Sequence, residues 1–146
     1  MPQSVENYHK HIANGIEFNF PVIVKAKNAI EGKRLFIKGL AKGIFKFIIQ
    51  MDLMESETEA VKNHLLSINN YTDQGTIFSI NKIRTLQHPL SGIYCLTSYE
   101  HIESRKINYE WNIIIKIKYR DIYLRFFSKK DISNTINNII KMIYVE

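Results

Sequence analysis

Gln74–Lys118, QGTIFSINKIRTLQHPLSGIYCLTSYEHIESRKINYEWNIIIKIK, decides how the chain is read. Three extended runs lie in it. Thr76–Leu86 is rich in Ile, Phe and Thr, and Pro89, Ser91 and Gly92 then break the pattern. Ile93–Tyr99 carries Tyr94, Cys95 and Leu96. In Trp111–Tyr119 the residues Trp111, Ile113, Ile115, Ile117 and Tyr119 alternate with Asn112, Lys116 and Lys118, and Ile114 is the one exception. Period-two alternation of β-branched and aromatic residues is the mark of a strand with one buried face.

The same pattern extends outward in both directions. Upstream, Ile16–Lys27 reads as a strand interrupted at Pro21, which suggests an edge or a bulge. A turn is expected over Asn28–Gly32, followed by strands Lys33–Gly39 and Gly43–Leu53 with a hairpin or bulge between Gly39 and Gly43. Glu55–Ile68 switches period: Val61, Leu65 and Ile68 mark an amphipathic helix, with Ser56 and Glu59 as a capping box. Downstream, Ile122–Phe127 completes a hairpin with the run from Trp111. A final helix is expected from Ile132, Ile136, Ile139, Ile140 and Ile143, capped by Ser128 or Asp131.

The fold class expected is α+β, mainly β. It is a partly closed antiparallel β-barrel with one internal helix and a C-terminal amphipathic helix. Residues 1–15 read as a polar arm, frayed or a short helix, and 16–146 as one barrel-like domain. A chain of 146 residues with 45% hydrophobic content supports a core of that size. The isoleucine stripe of the last helix should pack on Trp111, Ile113, Ile115 and Ile117, because neither stripe can stay wet. The alternative use of Ile136, Ile139, Ile140 and Ile143 is a docking face for a protein partner or for a second copy in a homodimer.

Chemistry is sparser. The one cysteine, Cys95, cannot form an internal disulfide and reads as a small core residue. With no apolar leader in the first residues and no long apolar run, a cytoplasmic protein is expected. No enzyme is expected: G-x-S-x-G is absent, and Cys95 has only His88 and His101 flanking its strand. His9 and His11 are too few for a metal site, and no cofactor is expected. Gly32, Lys33, Arg34, Gly39, Lys42 and Gly43 match neither phosphate-binding glycine motif, so turn chemistry explains the glycines.

The net charge of +6 fits nucleic acid, an anionic membrane surface or a phosphorylated ligand, or serves solubility. Lys116, Lys118, Tyr119, Arg120, Tyr123, Arg125 and Phe127 interleave basic and aromatic residues. They read either as a face that stacks bases and neutralises phosphates, or as a hairpin with its aromatics buried and its charges wet.

Gly75, Phe78 and Ile80, then Pro89, then Tyr99, Ile102, Glu103 and Arg105 follow a further pattern. This segment resembles the end of the barrel domain that precedes PilZ domains in bacterial flagellar-brake proteins, and the upstream hairpin Gly32–Asp52 is compatible with it. The resemblance implies a signalling module that binds cyclic di-GMP. Its ligand residues would be Arg105, with Lys106 beside it, and Asp131 and Ser133. The chain departs from the family pattern at Tyr109, where a second arginine is expected, and at Ile136, where a glycine is expected. Binding of a cyclic dinucleotide should therefore be weak or lost. The chain also resembles a pleckstrin-homology-like barrel in ending on a hairpin and one amphipathic helix. That likeness implies an adaptor for a protein or an anionic headgroup.

Overall fold

His9–Ala13 (β1) and Ile16–Phe20 (β2) form a hairpin in which Ala13 pairs with Ile16. The connecting Asn14 and Gly15 hold φ values of 49° and 75°. Asn-Gly is the sequence that such a two-residue turn favours, because both central residues need positive φ. The expected frayed arm or short helix is corrected here: residues 9–13 are a strand. Residues 1–7 lie outside the described part of the chain. The computed structural model describes residues 8–67, 71–73, 76–80, 84–86, 91–101, 104–117 and 120–145.

After Phe20 the chain bends through Pro21 and leaves this hairpin. Lys25–Glu31 (β3) then begins a second, larger sheet, so Ile16–Lys27 is two strands and not one. Proline lacks the N–H that a ladder needs, and here the ladder ends before it. β3 continues to Glu31 and turns at Gly32–Lys33 into Arg34–Ala41 (β4), which corrects the turn expected at Asn28–Gly32. Phe45–Leu53 (β5) follows after a turn at Gly43.

The helix Glu55–Ser67 (α1) comes next. Its cap differs from the expected Ser56–Glu59 box: the Glu57 carboxylate reaches back to accept the Met54 N–H at 3.1 Å. The expected last residue, Ile68, lies outside the described residues. The remaining strands are Tyr71–Asp73 (β6), Thr76–Ile80 (β7), Arg84–Leu86 (β8), Ser91–His101 (β9), Ile107–Ile117 (β10) and Arg120–Ser128 (β11). Ser133–Lys141 (α2) and Tyr144–Val145 (β12) close the chain. Pro89, Lys118 and Tyr119 lie outside the described residues.

The protein is thus mainly β, with two helices and two antiparallel sheets among the described residues. The larger sheet has the order β3-β4-β5-β11-β10-β9-β7-β6, with β8 on β9; the smaller is β1-β2-β12. No ladder among the described residues joins β3 to β6. No helix among them is long and apolar enough to cross a membrane.

One core holds the two sheets together. It takes Phe18 and Phe20 from β2, Phe47 and Ile49 from β5, Trp111, Ile113, Ile115 and Ile117 from β10, Leu124 and Phe126 from β11, and Ile136, Ile139 and Ile140 from α2. The Phe20 and Phe47 rings stack at 4.9 Å, and the Phe47 and Phe126 centroids lie 6.0 Å apart. Phe47 lies over Gly39, where a Cβ would come within 2.1 Å of the ring. The smaller sheet and α2 therefore cover the inner face of β4, β5, β11 and β10, and α1 packs against β11 from the other side.

The outer side of β10 is drier than its alternation implies. Glu110, Asn112 and Ile114 are buried along with the Trp111 row, and only Lys116 is exposed. The polar members are satisfied by β11: Tyr123 donates its hydroxyl to Asn112, and Arg125 pairs with Glu110 at 2.8 Å.

Candidate functional site

Register pairing aligns residues into rows, because directly opposed residues of antiparallel strands point to the same side. On the outer face of β3, β4, β5 and β11 three rows result. They are Ala29, Phe36, Gln50 and Tyr123; then Lys27, Lys38, Ile48 and Arg125; then Lys25, Leu40, Lys46 and Phe127. The four lysines and Leu40 are exposed, and Phe36, Ile48, Tyr123, Arg125 and Phe127 are half-buried. Lys38 pairs with Glu31, whereas Lys25, Lys27 and Lys46 have no ion pair among the described residues.

Arg125 joins the rings of this face. Its guanidinium carbon sits 5.9 Å from the Tyr123 centroid and 5.1 Å from that of Phe127, while the same group holds Glu110. Tyr123, Arg125 and Phe127 thus share one side of β11, and Ile122, Leu124 and Phe126 occupy the other. This corrects the expectation of buried aromatics opposite wet charges: residues two apart on a strand project to one face. Of the rest of that stretch, Arg120 meets Asp52 at 2.9 Å and donates to the Asn14 carbonyl at 2.8 Å. It therefore ties the two sheets.

At one end of the face, α1 closes a shallow cleft of about 370 Å³ lined by Glu31, Lys33, Arg34, Phe36, Gln50 and Glu57. Arg34 pairs with Glu57 through both guanidinium nitrogens, one of them at 2.6 Å. The Arg34 hydrogen bonds, helped by the Met54 N–H, hold the Glu57 carboxyl below its ordinary value, and Glu57 in turn raises Arg34. Thr58 donates to Asp121 at 2.8 Å, fixing the helix to β11. Arg34 with Glu57, and Thr58 with Asp121, are thus bound to one another at this end.

The opposite end is different. Three connections meet there, because Ala41 pairs with Phe45, Ile107 with Glu100, and Tyr109 with Ser128. The Ser128 hydroxyl donates to the Ile44 carbonyl at 2.7 Å, which joins the β4–β5 turn to the loop after β11. Lys42, Arg105, Lys106, Lys129 and Lys130 are exposed there without an ion pair among the described residues.

The residues expected to hold a ligand divide. Arg105, at φ 55°, and Lys106 lie in the exposed loop before β10. Asp131 and Ser133 stand at the start of α2, at the same end of the β10–β11 ladder, but their polar atoms are engaged. Ser133 donates its hydroxyl to Asp131 at 2.6 Å and its N–H at 3.1 Å, and accepts the Trp111 indole N–H at 3.2 Å. Ile132 is the N-cap and makes no side-chain bond, while the Asp131 carboxylate, expected as a cap, accepts the N–H of the first helical residue, Ser133.

The docking-face use of Ile136, Ile139, Ile140 and Ile143 is corrected too. All four are buried in the chain's own core, because the smaller sheet and the larger one enclose that stripe.

His11 bonds Asn28 at 2.8 Å, and the described residues contain no cluster of three metal-ligating side chains. Cys95, Tyr99 and His101 fall within β9, and Phe78 and Ile80 within β7. Gly75, His88, Ile102 and Glu103 lie outside the described residues.

Lys25, Lys27, Lys38 and Lys46 were not singled out by sequence reasoning. Their signal was the two-residue spacing of Lys25 and Lys27, but only the register carries that row onto β4 and β5. No known family matches the sequence, and no curated protein matches it.

Proposed function

We propose that this chain is a non-enzymatic binding module that holds a phosphate-bearing ligand against the outer face of β3, β4, β5 and β11. One observation carries the proposal. Lys25, Lys27 and Lys46 stand exposed on one face of the sheet with no carboxylate partner among the described residues. Like charges side by side on a sheet repel, and a bound anion removes that repulsion. In this proposal the two sheets and α2 are the walls of a partly closed barrel, and the ligand lies on its outside.

A second reading rests on the cluster of Lys42, Arg105, Lys106, Lys129 and Lys130 at the loop end. It is a PilZ-like signalling module that takes a cyclic dinucleotide, or a pleckstrin-homology-like one that takes a headgroup. Against the dinucleotide weigh the bonds that already engage Asp131 and Ser133.

Calorimetry of the full chain with tripolyphosphate and with cyclic di-GMP tests both readings. The outer-face site expects tripolyphosphate binding that weakens with added salt and is lost in the combined variant Lys25→Glu, Lys27→Glu, Lys46→Glu. Binding of either probe that survives that variant but is lost in Arg105→Ala would move the site to the loops.

A further inference from the structure

Resting on the outer-face reading above, we infer that the ligand is single-stranded nucleic acid, with bases stacked on Tyr123, Phe127 and Phe36 and phosphates met by Lys25, Lys27 and Lys46. The lysines do not converge on a point, as a site for one phosphate would require. They are spread over two strands, β3 and β5, in two of the rows, about 6.6 Å apart along β3 and about 9.6 Å apart across the sheet from Lys25 to Lys46. Such a track suits a chain of phosphates.

The rings are placed among them and not apart from them. Phe127 is the direct neighbour of Lys46, Phe36 carries the Lys38 ammonium 5.8 Å from its centroid, and Arg125 lies between Tyr123 and Phe127. Flat rings and a guanidinium plane between cations are the surface on which unpaired bases stack, whatever their sequence. A duplex hides its base faces, and a sheet face of half-buried side chains offers no protruding element for a groove. At the α1 end the track runs into the cleft of about 370 Å³, where Phe36 supplies a ring and Gln50 an amide. The cleft is large enough for a terminal base, and the Gln50 amide can bond that base's edge.

The experiment is fluorescence anisotropy of the full chain with a 5′-labelled dT15 strand. A dT15·dA15 duplex, phosphatidylserine vesicles and tripolyphosphate serve as competitors. Tyr123→Leu and Phe127→Leu keep apolar volume, and melting curves check their folding. The expected result is that dT15 binds in preference to the duplex and the vesicles, and that each ring substitution weakens it about five- to one-hundred-fold while leaving tripolyphosphate binding unchanged. Lys46→Ala should flatten the slope of log K against log salt by about 0.7. Unchanged dT15 affinity in both folded ring variants, or tighter binding to the duplex or the vesicles, overturns the single-strand inference. If tripolyphosphate still binds through the lysines, the outer-face reading stands in that case. Absence of binding to every probe overturns both.

Discussion

Along β11, Ile122, Leu124 and Phe126 are at most 1% exposed, while Tyr123, Arg125 and Phe127 between them are half-buried. One strand therefore serves two faces built on different physics. The inner face meets β2 and α2, and every large side chain there is closed off from water. Its value is stability, through the area removed from solvent. The outer face has aromatic and aliphatic side chains too, but lysines separate them, and α1 covers one end only. At that end Arg34, Glu57, Thr58 and Asp121 satisfy one another. Beyond it Lys25, Lys27 and Lys46 have no ion pair among the described residues, whereas Lys38 holds Glu31 and Arg125 holds Glu110. In the proposed function the unmatched lysines of this face are the ones that meet the ligand.

If the comparison holds, substitutions should rank by face. The largest loss belongs to the inner face: Ile139→Ala, at a fully buried position, should cost about 2–5 kcal/mol in a urea melt. Unchanged stability there, accompanied by a shift from dimer to monomer, would restore the docking-face use of α2.

Ser133→Ala comes next. It leaves the buried Trp111 indole N–H without its acceptor and should cost about 1–3 kcal/mol. A melt identical to wild type, with a defect in ligand binding alone, would make Ser133 a ligand residue and blur the distinction between the faces.

Glu57→Gln tests the paired end. The pair is partly exposed, so the loss should be about 1 kcal/mol or less at neutral pH. Its sign with pH follows from the lowered carboxyl. A folded-state pKa below the ordinary 4.5 gives stability that is full above that value and is lost as pH falls through the folded one. The difference between wild type and Glu57→Gln should therefore shrink below about pH 4.5, and a difference that grows on acidification would refute the pairing.

The smallest effects on folding belong to the unpaired lysines. Lys25→Ala, Lys27→Ala and Lys46→Ala should each stay within about 0.5 kcal/mol of wild type while lowering affinity for dT15. A large stability loss in any of them would show a structural partner and weaken the claim that this face is kept for a ligand.

Much of the frame was legible from local pattern. The alternation from Trp111 to Ile117 and the i, i+4 spacing of Val61 and Leu65 name their elements directly. The Asn14-Gly15 turn was an equally local signal, yet residues 1–15 read as a polar arm and β1 was missed. The candidate site was much less legible. Tyr123, Arg125 and Phe127 stood out as a mixed stretch, but their common face emerged only from β11 as it sits in the sheet. Arg105, Asp131 and Ser133 looked like one ligand set, and the Trp111 indole claims Ser133 for the fold.

By itself the sequence determined that Trp111–Ile117 and Ile122–Phe127 are strands, that Glu55 and Ile136 stand in helices, and which side of β10 is apolar. Those are properties of a two- or 3.6-residue period and of turn residues such as Asn14 and Gly15, and they need no distant neighbour. Tertiary structure alone decided that Pro21 separates two sheets, that β12 returns to β2, and that β5 lies between β4 and β11. The last of these sets Lys27, Lys38, Ile48 and Arg125 in one row. Register joins residues far apart in the chain, as Tyr144 with Glu17, and it is fixed by which buried side chains fit together across the core. Phe47 over Gly39 and against Phe20 and Phe126 is such a fit, and no local period encodes it.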